Sequence, residues 1–377
     1  MTNSKTIPTI ESLTKPGVRK IPKYIAGDSL ENVRKKYAVT EMYKLASNEN
    51  QLGVSPKALE AMRAELENTY IYPDTFCDQL RQKIGERYNL TRHNVVVTGG
   101  GSGGIALIGD AFLCPGDEVL YCAPTFTLYK GSAIRASATE VTLPVLPDGS
   151  FDLKSMAGAV TEHTKLIYVC SPNNPTGGTV KHDELLEFVD ALPPHVITVI
   201  DEAYIEFATD PGYSSLADSI SDERRMIVMR TFSKAYGLAA ARIGYLLSNQ
   251  EIHANLMRCV TPFIGNRLGL AGASAALDDD DFLEKSVRYV KDGREYLVKE
   301  FEELGFRVFP SQANFLYVDT GNDTSDFSEK CKSRGLIIRG NFPYARITVG
   351  TRYQNEKMIA IIKEVLKAGV EPRKEKA

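Results

Sequence analysis

Val196-Ile197-Thr198-Val199-Ile200 is a run of five β-branched residues, and it gives way at once to Asp201-Glu202-Ala203-Tyr204. β-branched side chains suit a pleated strand, and a strand that is apolar throughout suits burial on both faces, as in a parallel sheet. The pattern repeats on either side. Upstream, Leu166 to Cys170 opens into SPNNPTGG (171–178); downstream, Ile227 to Arg230 leads into TFSK (231–234). Nearer the start lie Val95 to Thr98 and Glu118 to Cys122. Stretches of helix length, amphipathic or Gly-rich, separate these runs, which predicts an α/β fold with a parallel sheet covered by helices. Val119, Ile167, Val199 and Val228 are expected in its core.

Ser55-Pro56 reads as an N-cap and first helical residue, with Ala58, Leu59, Met62 and Leu66 spaced for one buried face. A second helix is expected from Asp74 to Tyr88, and another from Ile105 to Phe112 after a Gly turn. Beyond the acidic run Asp278 to Asp281 the pattern changes. A long charged helix, Phe282 to Leu304, precedes strands at Phe306 to Pro310, Asn314 to Asp319, Leu336 to Arg339 and Arg346 to Val349, with helices between and after them. The expected division is an N-terminal arm and part of the small domain (1–50), a large cofactor-binding domain (51–280) and a small C-terminal α+β domain (281–377).

The chain of 377 residues exceeds the usual size of one core, and 43% apolar residues can furnish two. A net charge of −3 without a basic stripe argues against nucleic acid as a partner. No apolar leader and no run of membrane-spanning length is present, so a cytoplasmic protein is expected. The six cysteines form no C-x-x-C pair and the five histidines no H-x-x-x-H spacing, so no metal site is expected.

Val95-Val96-Val97-Thr98 runs straight into Gly99-Gly100-Gly101-Ser102-Gly103-Gly104. Such a turn before a helix presents bare N–H groups to an anion, most often phosphate. A dinucleotide fingerprint laid over Gly99, Gly101 and Gly104 lacks its acidic ribose anchor, because Glu118 begins a strand instead of ending one. Lys234, taken alone, reads as a surface lysine; at a strand end among aromatic and small residues it becomes a candidate for desolvation, which frees a neutral amine. Asp201 and the amides of Asn173-Asn174 fall at the ends of neighbouring runs, and ligands of open α/β sheets bind along that edge. A pyridoxal phosphate site needs this set: a lysine for the Schiff base, a carboxylate for the pyridine nitrogen, an amide and a phenol for the ring hydroxyl, and a phosphate turn.

With IPKYIAGDSLENV (21–33), KLASNEN (44–50), SPNNPTG (171–177), DEAYIEF (201–207), RTFSKAYGLAAARIGY (230–245), SQANFLYVDT (311–320) and ARITVGT (345–351), the chain resembles the histidinol-phosphate aminotransferase family over nearly its whole length. The resemblance implies a large domain with a mostly parallel, seven-stranded-type sheet and a smaller α+β domain. It makes Lys234 the Schiff-base lysine and proton shuttle, Asp201 the pyridinium partner, and Asn174 and Tyr204 the ligands of the cofactor hydroxyl. Gly101, Ser102, Ser233 and Arg242 would hold the cofactor phosphate, Phe126 would stack on the ring, and Tyr72 would reach the phosphate of a neighbouring subunit, which implies a homodimer with shared active sites. Arg339 and Arg346, with Tyr24 and Asn314, would face the substrate; guanidinium forks suit its phosphate or carboxylate.

The implied reaction is transfer of the amino group of histidinol phosphate to 2-oxoglutarate, giving imidazole acetol phosphate and L-glutamate. The chain departs from the family in the turn Ser102-Gly103-Gly104, in NENQLG (48–53), and in the mere six residues between Arg339 and Arg346. Aromatic amino acid aminotransferases share that short loop, so phenylalanine, tyrosine or histidine is the alternative donor. A phosphothreonine-type decarboxylase on the same scaffold is the remaining alternative.

Overall fold

The computed structural model describes residues 9–21 and 30–373. A two-residue strand β1 (Tyr43–Lys44) precedes the strands of the main sheet: β2 (Val95–Thr98), β3 (Glu118–Ala123), β4 (Thr139–Pro144), β5 (Thr164–Cys170), β6 (Ile197–Asp201), β7 (Met226–Thr231) and β8 (Gly244–Ser248). Their order is β2-β8-β7-β6-β5-β3-β4. Neighbours from β7 through β4 pair in parallel, while β8 runs antiparallel to both β7 and β2. The β-branched runs are buried but for the half-buried Ile197, with Val119, Ile167, Val199 and Val228 inaccessible, because helices cover both faces.

Several local expectations need correction. β4 and β8 have no counterpart among the expected strands: β4 lies at the sheet edge, half exposed, and β8 follows Arg242-Ile243 so closely that its residues read as part of a site motif. The helix expected at Ile105 begins at Gly100, so the glycine run is itself the first turn. Packing overrides propensity there, since a Cβ at Gly104 would meet Leu246 at 3.1 Å and Met229 at 3.2 Å. The helix expected from Asp74 starts at Asp78, after Cys77 in a left-handed conformation (φ 60°).

The C-terminal strands are β9 (Arg307–Val308), β10 (Phe315–Asp319), β11 (Leu336–Ile337) and β12 (Ala345–Thr348), each shorter than expected or shifted by a residue. β12, β10 and β9 form an antiparallel sheet, whereas β11 pairs in parallel with β1. Two main cores result. One gathers residues between Ala58 and Leu277, and the other joins Tyr43 and Leu45 to residues from Leu297 to Val365. Helix Asp280–Glu303 touches both regions, with Leu297 and Phe301 in the second core and Val290 in a small cluster with Tyr204, Phe207 and Phe315.

Arg294 on that helix is buried without an acidic partner in the described residues. Its Nη1 donates to the carbonyls of Phe207 and Ala313 at 3.0 Å each, and Nη2 to Thr209 Oγ1 at 3.2 Å. Burial holds its pKa down, to about 10. One guanidinium therefore ties the turn after β6 to the start of β10. Arg294→Met leaves two buried carbonyls unpaired, and urea unfolding should show a loss of about 2 to 4 kcal/mol.

Candidate active site

Parallel register sets the geometry. Cys170 pairs with Asp201 and Asp201 with Met229, so β5 and β6 end level and β7 runs two residues further, to Thr231. Backbone bonds lock the ends, from Ser171 N–H to the Asp201 carbonyl at 3.1 Å and from Glu202 N–H to the Met229 carbonyl at 2.9 Å. The loops that follow carry Asn174, Tyr204 and Lys234 to one edge. Antiparallel β8 starts at this same edge and so delivers Arg242, and β2, antiparallel to β8 in turn, delivers the Gly100–Phe112 helix N-terminus.

A cavity of about 330 Å³ lies there. Its walls include Gly101, Ser102 and Phe126, then Asn174, Asp201 and Tyr204, then Ser233, Lys234 and Arg242, with Arg339 and Arg346 at the small-domain side. Asn314 stands just behind, its Nδ2 donating to the Asn48 carbonyl at 3.0 Å. Tyr72 is elsewhere, 76% exposed on the outer surface and stacked on Phe263 at 4.6 Å. Tyr24 lies outside the described residues.

Asp201 is buried. Its Oδ2 accepts from the Tyr129 hydroxyl at 2.6 Å and its Oδ1 from Ala203 N–H at 3.1 Å. Burial pushes its pKa up to about 6, against the pull of those two donors. No cationic side chain among the described residues forms an ion pair with it. Lys234 Nζ donates to the Ser47 carbonyl at 3.1 Å and sits 5.6 Å from the Tyr204 ring centre. The amine opens onto the cavity but is otherwise enclosed by protein. Desolvation, then Arg346 and Arg242, lowers its pKa to about 8, with Glu49 and Asp201 opposing. The Tyr204 hydroxyl accepts from Asn48 Nδ2 at 3.1 Å and Asn174 Nδ2 at 3.4 Å, and burial raises its pKa to about 12.

The anion end is built from backbone and a guanidinium. Gly99 caps the helix without a side chain, leaving first-turn N–H groups for a ligand. Arg242 Nη1 approaches Ser233 Oγ at 3.4 Å, and Nη2 the Gly99 carbonyl at 3.4 Å. Its backbone is left-handed at φ 57°, a strained state for an arginine that the surrounding loop imposes. Gly100 makes room: a Cβ there would lie 2.7 Å from Arg242 Nη2.

Arg339 and Arg346 face each other across a hairpin closed by N–H to carbonyl bonds of 3.1 and 2.9 Å. Arg346 is buried between Phe315 and Phe342, its Nη1 on Asn174 Oδ1 and its Nη2 on the Ala46 carbonyl, both at 2.5 Å. Beneath the site, Arg230 pairs with Glu202 at 2.9 Å and Glu206 at 2.8 Å, all three side chains buried.

Residues 40–362 match the family model for aminotransferase class I and II. The chain belongs to that family. It is 37% identical over 358 residues to a histidinol-phosphate aminotransferase of Geobacillus sp. (strain WCH70), covering 94% of this chain and 98% of that one. It is also 37% identical over 350 residues to the enzyme so named from Brevibacillus brevis, with 92% and 96% covered. The histidinol-phosphate aminotransferase of Sinorhizobium meliloti, solved in complex with pyridoxal-5′-phosphate, superposes with a TM-score of 0.88 at 27% identity over 95% of this chain and 98% of that one. The protein is a pyridoxal phosphate-dependent aminotransferase.

The donor set of this aminotransferase fits that cofactor. A buried carboxylate without a cation suits a protonated ring nitrogen, a desolvated amine suits an aldehyde, and an arginine beside bare helix N–H groups suits a phosphate. Sequence reading missed Tyr129, Asn48 and Glu49. KLASNEN pointed to the last two as a motif without singling out a residue, and Tyr129 follows Phe126 in APTFTLY with nothing local to mark its reach to Asp201.

Lys234 burdens the cofactor-free fold. Its folded pKa near 8 lies below the ordinary 10.5, so the cost is full below pH 8 and fades as pH rises to 10.5. Lys234→Met should stabilise the cofactor-free protein at neutral pH by at most about 3 kcal/mol. Chemical denaturation at stepped pH should show that gain vanishing through the same window.

Proposed function

We propose that this aminotransferase transfers the amino group of histidinol phosphate to 2-oxoglutarate, forming imidazole acetol phosphate and L-glutamate. The curated relatives carry that name, and one feature of the cavity supports it. Arg346 spends its two terminal nitrogens on Asn174 and Ala46, whereas Arg339 lines the cavity with no side-chain hydrogen bond or ion pair to a described residue. A fork held open at the substrate end suits a phosphomonoester, and glutamate's distal carboxylate would use it in the second half-reaction.

When bound, pyridoxal phosphate supplies an aldehyde that condenses with amines and a ring that takes up the electron pair left at Cα. The Gly101 and Ser102 N–H groups, the Ser233 hydroxyl and Arg242 would hold its phosphate. Asn174 and Tyr204 would bind its hydroxyl, Phe126 would cover one face, and Asp201 would keep a proton on its ring nitrogen. Lys234 Nζ, with its pKa lowered to about 8, can take the Cα proton and give it up again near neutral pH at small cost. Asn314 would place the small domain against the site through Asn48.

The two cores support a division into an arm (1–50), a large domain (51–280) and a small domain (281–377). We also infer a homodimer. Tyr70, Ile71, Tyr72, Phe76 and Phe263 form an exposed apolar patch, and Arg267 braces it through the Ile71 and Tyr72 carbonyls at 3.2 and 2.9 Å. A second copy seated there would cover the patch and receive Tyr72 at its phosphate site. Among the described residues no helix is long and apolar enough to cross a membrane, which accords with the cytoplasmic location we propose.

Kinetics and sedimentation test these readings. Arg339→Gln should raise KM for histidinol phosphate about ten- to hundredfold. Phenylalanine, tyrosine or histidine outperforming histidinol phosphate tenfold in kcat/KM would instead make the protein an aromatic aminotransferase. For the dimer, sedimentation at assay concentration should give twice the chain mass, and Tyr72→Phe should weaken cofactor binding several-fold. A monomer at full activity would refute the shared site.

A further inference from the structure

Tyr129 does not line the cavity, yet it makes the shortest side-chain contact to Asp201. It is the second residue of helix Leu128–Ala136 and is fully buried. Its ring stacks on Tyr168 of β5 at 4.3 Å and 13°, and stands edge-on to Tyr121 of β3 at 5.8 Å and to Phe126 at 5.9 Å. With the ring held on three sides, the hydroxyl meets Asp201 Oδ2 at 2.6 Å.

We propose that Tyr129 is a positioning residue for transamination: its phenol holds Asp201 in the ionised form, so that a proton shared between Asp201 and the cofactor's ring nitrogen rests on the nitrogen. This rests on the reading that Asp201 faces that nitrogen. The balance is simple. One proton lies between carboxylate and ring, and Tyr129 keeps its own, because burial pushes its ionisation far above the usual range.

A buried carboxylate near pH 6 competes with a pyridine nitrogen for a proton. Donation from a phenol stabilises the anion and tips the competition toward the ring. The other groups facing Asp201 do not serve. Tyr168 and Cys170 on β5, and Tyr204, are buried and held neutral; Glu202 pushes the pKa up and is engaged by Arg230; Lys234 pulls it down but is the amine the reaction uses. Ala203 N–H acts on the other oxygen.

The test uses holoenzyme loaded with pyridoxal phosphate labelled with ¹⁵N in the ring. Wild type should show a pyridinium resonance. Tyr129→Phe, which keeps the stacked ring, should move that resonance toward neutral pyridine and lower kcat about ten- to hundredfold with KM held within about twofold. Asp201→Asn separates the two readings. If it leaves the resonance unmoved, Asp201 does not govern the ring and the proposal falls with that reading; if it moves the resonance while Tyr129→Phe does not, the proposal alone fails.

A second measurement covers poor folding of Tyr129→Phe. Calorimetric loading of the cofactor-free full chain, in buffers of different ionisation enthalpy, counts protons taken up and so reports the Asp201 midpoint. That midpoint should rise by about one to two pH units in Tyr129→Phe. It should fall with 3-fluorotyrosine at position 129, whose more acidic hydroxyl donates more strongly. A midpoint indifferent to either change overturns the proposal.

Discussion

Everything at this site hangs on the shared register of three parallel strands. Cys170, Asp201 and Met229 lie on one register row; the chain leaves the sheet there in β5 and β6 and two residues later, at Thr231, in β7. A slip of one residue in β6 would turn Asp201 to the other face and exchange it for Ile200 or Glu202. The buried ion triad guards against this. Glu202, next along, is taken by Arg230, Ser215 and the Leu216 N–H, so the two adjacent acids are separated by partner as well as by face. Removing one member of such a triad is costly, which makes it a device for holding register.

The same edge concentrates positive charge. Arg242, Arg339, Arg346 and Lys234 line a cavity whose carboxylates are Asp201 and Glu49, the latter paired with Lys44 at 2.6 Å. That field attracts anions and, after desolvation, adds to the lowering of the lysine's pKa. The fold carries in return a buried Asp201 with no ion-pair partner among the described residues.

Fold class was legible because buried strands announce themselves: Val95 to Thr98, Leu166 to Cys170 and the run before Asp201 lack polar–apolar alternation. β4 was not, since an edge strand with half-exposed residues carries a weaker pattern. Of the residues that line the cavity, Lys234, Asp201 and Asn174 stood out as strand-end groups, and Arg242, Arg339 and Arg346 through resemblance. The start of the Gly100 helix was not, because glycine propensity argues for a turn and only packing against Leu246 and Met229 reverses it. Tyr129 was illegible for a different reason. Its partner lies 72 residues away, and nothing in APTFTLY records that contact.

The two domains meet at polar groups around the cavity. Arg346 of β12 bonds the Asn174 amide, which follows β5 of the main sheet. Asn48, left-handed at φ 56°, accepts from Asn314, exchanges hydrogen bonds with Thr348, and donates to the Tyr204 hydroxyl. A shift of the small domain therefore reaches Asn174 and Tyr204 without passing through the main sheet. Because both residues also bond to each other, Arg346 and the phenol beside Lys234 belong to one hydrogen-bonded chain, and a change of partner at one end alters the bonds available at the other.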